Sequence, residues 1–139
     1  MVLFVLLMLV SLAHAFYECF FFAGTRYSVD PYLLASIAKV ESAFNPKAIN
    51  KNQNGSFDYG IMQINSYWIL HYKIPLEWIQ EPCYNIHFGA MILRNCMDMY
   101  KNNLQLAIDC YNRGTKADGN STYVLKVYNS YKKIMKLVR

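Results

Sequence analysis

"FDYGIMQIN", residues 57–65, puts an acidic residue, a glycine, an apolar Ile–Met pair and two carboxamides side by side. The polar stretch before it, "NKNQNGSFD" over 50–58, carries Asn54-Gly55, a turn or short-hairpin signal. A helical pattern resumes at Gly60 and runs over 60–72, so Asp58 stands at a junction. There it either caps the helix that follows or works as a carboxylate in a polar setting. Upstream, Asp30-Pro31 is a helix start and Asn45-Pro46 a stop, giving a helix over 31–44. Leu34, Ile37, Ala38 and Phe44 mark its apolar stripe, and Glu41 falls near the middle of it. A carboxyl so placed needs a cationic partner, or else its proton affinity rises and it can act as an acid.

The rest of the chain is helical in pattern: 83–100, 104–111 and 121–138, with Pro75 and Pro82 punctuating the middle. There are no internal repeats and no low-complexity linker. With 139 residues and an apolar-rich composition, the chain makes one domain with a real core. Residues 1–15, "MVLFVLLMLVSLAHA", read as a signal peptide ending in Ala-x-Ala, which leaves 16–139 as the exported domain. The segment has no Lys or Arg before its apolar run, and apolar character resumes at Phe20–Phe22, so an uncleaved membrane anchor is the alternative. Either way the domain lies outside the cytosol, and a periplasmic location follows.

Four cysteines, Cys19, Cys83, Cys96 and Cys110, form an even set in a short exported chain, and two disulfides are the default. Cys83 with His87 is the closest Cys/His pair, too little for a metal site. No metal and no cofactor is expected. Cys83 and Cys96 fall on one predicted helix, where thirteen residues span ~20 Å, beyond disulfide reach. Cys96 and Cys110 flank Asn102-Asn103 at nearly equal distances, as facing positions of an antiparallel helix pair do. The expected pairing is Cys19 to Cys83 and Cys96 to Cys110.

The net charge is +5, and Lys126, Lys132, Lys133, Lys136 and Arg139 gather in the tail. That is either a solvated helix face or an attraction to an anionic surface; in an exported chain the polymer is cell wall, not nucleic acid.

Glu41-Ser42, "YGIMQIN" at 59–65, "CYNRG" at 110–114 and "YVLKV" at 123–127, in that order, resemble the motifs of the lytic transglycosylases with a lysozyme-like (SLT) fold. The small, single-domain size is similar to that of specialised members accompanying type III secretion, type IV pilus or conjugation machines. The resemblance implies a mainly α, lysozyme-like fold, with a short β-hairpin or irregular loop near 50–58. It also implies cleavage of the β-1,4 bond from N-acetylmuramic acid to N-acetylglucosamine in peptidoglycan, with a 1,6-anhydro product.

In that family pattern Glu41 is the acid and then the base, while Ser42, Met62, Gln63, Asn65, Tyr111, Asn112 and Tyr123 position or support substrate and acid. Met62 belongs with Ile61 and Ile64 at the cleft floor. Tyr111 and Asn112 also read simply as a helix end before Gly114. Asp58 departs from the pattern: "DYGIMQINSYW" also resembles animal c-type lysozymes, whose second carboxylate stands there, so the site looks like a hybrid. Lysozyme, a standard example of two carboxyls tuned apart, has its acid in an apolar pocket and its aspartate in a polar one. Tyr67 and Trp68 continue that stretch, and an aromatic pair there belongs to the core more often than to a sugar platform. The alternatives are a lysozyme-type muramidase and a non-catalytic cell-wall-binding protein.

Overall fold

The structure, a computed structural model, describes residues 16–139; the expected signal peptide lies outside the described residues. The chain opens with helix α1 over 16–27, a segment for which the sequence analysis predicts no element. Helix α2 (Pro31–Ser42) starts as Asp30-Pro31 dictates, with the Asp30 carboxylate accepting from the Tyr32 N–H at 2.8 Å. It stops two residues before the expected 44, because Ala43 and Phe44 turn left-handed at φ 52° and 62°.

Three short antiparallel strands follow in the order β1 (Ile49–Lys51), β2 (Phe57–Tyr59), β3 (Ile64–Asn65). The hairpin near 50–58 is therefore present, and Asp58 pairs across it with Asn50 on one side and Asn65 on the other. After α3 (Ser66–His71) and α4 (Leu76–Gln80) come α5 (Pro82–Met99), α6 (Leu104–Arg113), a short 3-10 turn over Gly114–Lys116 and α7 (Thr122–Leu137).

The expected helix over 60–72 is half wrong. Residues 60–63 form a tight turn, 64–65 a strand, and helix begins only at Ser66, capped by Asn65. Asn85 of α5, wholly buried, is the reason. Its Oδ1 accepts from the Met62 N–H at 2.8 Å, and its Nδ2 donates to the carbonyls of Tyr59 at 2.9 Å and Ile79 at 2.8 Å. One side chain thus satisfies a backbone N–H and a carbonyl of the turn and a carbonyl of α4, holding the turn in its non-helical path. Gly60 sits at φ +79°, and a Cβ there would lie 2.3 Å from the Asn85 amide nitrogen. Only glycine fits.

Around this turn the core assembles. Leu34 and Ile37 from α2, Ile61, Met62 and Ile64 from the turn, Ile86 and Leu93 from α5, and Val127 from α7 are all fully enclosed. Each contributes about 1.5–3 kcal/mol of apolar burial. Gly89 lets α5 approach Met62, since a Cβ would come within 2.8 Å of the Met62 side chain. The helices pack chiefly α2 on α7 and α5 on α6. Both expected disulfides are present, Cys19–Cys83 with Cα atoms 5.3 Å apart and Cys96–Cys110 with 5.8 Å. The first ties α1 to α5; the second joins α5 to α6. Among the described residues, no helix is long and apolar enough to cross a membrane.

Candidate active site

The turn, the hairpin and the ends of α2 and α6 enclose a cleft of about 840 Å³. Glu41, on the last turn of α2, faces it. Tyr123 of α7 donates its hydroxyl to Glu41 Oε1 at 2.6 Å. Burial raises Glu41 from its ordinary 4.5 to about 7; the Tyr123 hydrogen bond pulls it down, and the Asp58 charge pushes it up. Among the described residues no cation pairs with Glu41. Of the two alternatives, a salt bridge and a carboxyl of raised proton affinity, these surroundings fit the second. Burial and the neighbouring Glu41 hold Tyr123 well above a phenol's ordinary value, so it remains a donor at neutral pH.

Asp58 is set differently. It lies on β2 in the polar wall of the cleft, where Asn52 Nδ2 donates to Oδ2 at 3.0 Å and Asn65 Nδ2 donates to Oδ1 at 2.7 Å. Ser56 joins the same group, accepting from both amides at 3.0 Å. Asp58 caps no helix: the cap of α3 is Asn65, whose Oδ1 accepts from the Tyr67 N–H at 2.9 Å. The arrangement presents one carboxyl desolvated beside two tyrosines and one in a nest of amide donors, the contrast that separates an acid from an anionic partner.

The other expected residues divide between cleft and support. Gln63, Asn65, Tyr111 and Asn112 line the cleft. Gln63 sits at φ 53°; its Nε2 donates to the carbonyls of Gly60 at 2.9 Å and Ala48 at 3.2 Å, and its Oε1 accepts from Asn50 at 2.7 Å. Tyr111 reaches from α6 to donate to the Met62 carbonyl at 2.8 Å. Met62 does not face the cleft as a substrate residue would; its side chain is enclosed between the turn and Gly89, and it supports the floor. Ser42 likewise acts from behind, donating to the Ile61 carbonyl at 2.7 Å and so tying α2 to the turn. Both aromatics line the cleft: Trp68 is partly buried against the core as well, whereas Tyr67 is 61% exposed and stacks on His71, ring centroids 5.8 Å apart.

Two groups escaped the sequence reading. Asn85 has no local signal, since an asparagine on a helix is ordinary until the turn packed on it is known. Asp109 of α6 is also wholly buried and gathers Arg113, Ser121 and two backbone N–H groups. Its i,i+4 spacing to Arg113 was the available clue.

The Transglycosylase SLT domain model matches residues 18–133. Protein IpgF of Shigella flexneri is 39% identical over 127 residues, covering 84% of this chain and 81% of its own. Invasion protein IagB of Salmonella typhimurium is 33% identical over 137 residues, covering 94% and 85%. Human Lysozyme-like protein 6 is 39% identical over 88 residues, 63% of this chain and 50% of its own. Among solved structures, an inactive mutant of lytic transglycosylase Slt from Pseudomonas aeruginosa superposes with TM-score 0.68 at 19% identity, over 87% of this chain and 24% of that longer one. A half-buried, protonatable glutamate, a Gly-Ile-Met-Gln turn below it and a tyrosine on the last helix holding it are thus found in a chain that belongs to the SLT transglycosylase family.

Proposed function

We propose that the cleft binds a peptidoglycan glycan strand and that Glu41 carries the reaction. The observation that supports this most is a cleft-facing carboxyl raised to about 7 by burial, with no cation paired to it among the described residues. Near neutral pH it holds a proton for part of the time and can give it up. Glu41 passes that proton to the oxygen of the muramic acid–glucosamine bond; C1–O breaks, and the glucosamine leaves with a free 4-hydroxyl. Positive charge develops at C1 and the ring oxygen, which the Asp58 anion opposes across the cleft. The Glu41 carboxylate then takes the proton from the sugar's own C6 hydroxyl, O6 bonds to C1, and a 1,6-anhydro end forms. No water is consumed, and Glu41 regains its proton.

Tyr123 positions Glu41 throughout. The carboxamides of Gln63, Asn65 and Asn112 suit acetamido groups, since each can donate and accept. Gln63 is already bonded on both sides, so it holds the wall's shape as much as it meets a sugar.

Asp58 favours one second reading. Held by two amides where a c-type lysozyme has its second carboxylate, it could serve a hydrolase that admits water. Mass spectrometry of digested peptidoglycan separates the readings: anhydro ends are expected from the wild type, and reducing ends would establish the muramidase. Unaltered peptidoglycan would leave only a wall binder. The similarity to IpgF and the invasion protein IagB supports a periplasmic role in local wall opening for a secretion or pilus machine.

A further inference from the structure

The geometry points to Asp109 as a positioning residue for Glu41: it fixes the start of α7 against α6 and so sets the contact between Tyr123 and the acid. This rests on the reading of Glu41 as the acid. Asp109 is fully enclosed, yet both its oxygens are saturated. Oδ1 accepts from Arg113 Nε at 2.9 Å and Ser121 Oγ at 2.6 Å. Oδ2 accepts from Arg113 Nη2 at 2.5 Å and from the N–H groups of Asp118 and Gly119 at 2.8 and 2.9 Å. The Arg113 pair and these donors hold the Asp109 carboxyl far below its ordinary range.

What this knot connects gives it its function. Ser121, one of its members, is the N-cap of α7 and stands two residues before Tyr123. Asp109 itself stands two residues before Tyr111 and three before Asn112, both in the cleft wall. The loop over 114–121 gives no residue to the main core, and only Ala117 packs on the small Cys96–Ala107–Cys110 cluster. Its register is therefore held chiefly by polar bonds, and the Asp109 carboxylate collects three of them. Gln105 adds one more, donating to the Gly119 carbonyl at 2.7 Å. A shift of α7 by a fraction of an ångström would lengthen the 2.6 Å Tyr123–Glu41 bond before it disturbed the apolar packing of Val127.

The groups facing Glu41 are Tyr123 from α7, Tyr111 from α6 and Asp58 from β2. Tyr123 favours the ionised carboxylate, so loosening it moves the titration of Glu41 upward. Loss of the Asp109 charge alone would act the other way, because it leaves Arg113 positive. The sign of the shift thus separates positioning from a through-space charge effect.

The test follows Glu41 by carbon-13 NMR titration of its carboxyl, alongside the pH profile of peptidoglycan cleavage, in Asp109→Asn and Ser121→Ala. Ser121→Ala removes one donor and no charge, and it decides the matter alone if Asp109→Asn does not fold. Both variants are expected to titrate Glu41 higher by about half a pH unit, a fraction of what one hydrogen bond is worth. The alkaline limb of activity should move with it. In a Tyr123→Phe background neither should shift it further. An unchanged or lowered titration in a folded variant, or a full additional shift on Tyr123→Phe, overturns the proposal. Should Glu41→Gln retain full activity while the titration shifts appear, the acid assignment fails and the positioning of Glu41 by Asp109 stands.

Discussion

Glu41 should weigh on the stability of the fold, and the size of that effect follows from its surroundings. In the unfolded chain its carboxyl titrates near 4.5, and in the folded chain near 7. Between those values the native state binds the extra proton, so stability falls as pH rises, with the loss complete above about 7. At 1.36 kcal/mol per pH unit the interval amounts to about 3 kcal/mol. Glu41→Gln keeps the shape and can still accept from Tyr123, but has no charge to desolvate. At pH 4 wild type and variant should therefore melt together. At pH 8 the variant should be more stable by about 3 kcal/mol, roughly 10 °C in Tm for a domain of this size. Calorimetry of both proteins across pH 4–8 measures the difference directly. A Tm gap that does not change with pH would refute the idea that the cleft raises this carboxyl, whatever the variant does to activity. Stability gained by removing a group is what a strained functional site predicts.

Other perturbations test the rest of the site. Glu41→Gln should cut anhydro-product formation at least ~100-fold, read by mass spectrometry, while circular dichroism stays unchanged. Asp58→Asn should lower turnover and also move the alkaline limb of the pH profile downward, because Asp58 raises Glu41; an unmoved limb would show that the two carboxyls do not communicate. Asn85→Ala strips three partners from buried backbone groups and should cost roughly 3–5 kcal/mol in urea unfolding. Replacing Cys96 and Cys110 together by serine should cost roughly 2–5 kcal/mol, with wild-type-like melting counting against a structural role.

The large helices were legible because each carries its own punctuation. Asp30-Pro31 opens α2, Pro82 opens α5 at its first residue, and Asn103 caps α6 by accepting from the Leu106 N–H. These signals are local, and local physics decides them. The disulfides were legible for a related reason: once α5 and α6 are placed antiparallel, helical rise alone rejects one pairing and favours another.

The turn at 60–65 was misread because its apolar residues fit a helical period while its conformation is imposed from outside. Ile61, Met62 and Ile64 are buried from several directions at once, so no face pattern distinguishes turn from helix. What breaks the helix is an amide that lies 23 residues away in sequence from Met62, and Gly60 is its only local trace. The same distance rule explains the site. Glu41 was identifiable from its place on an apolar stripe, but its state depended on Tyr123, 82 residues further on. The turn also gives the cleft its chemistry. By delaying the start of the helix to Ser66 it leaves Asn65 in a strand, paired with Asp58 across the sheet, where a helix over 60–72 would have made Asp58 a cap instead.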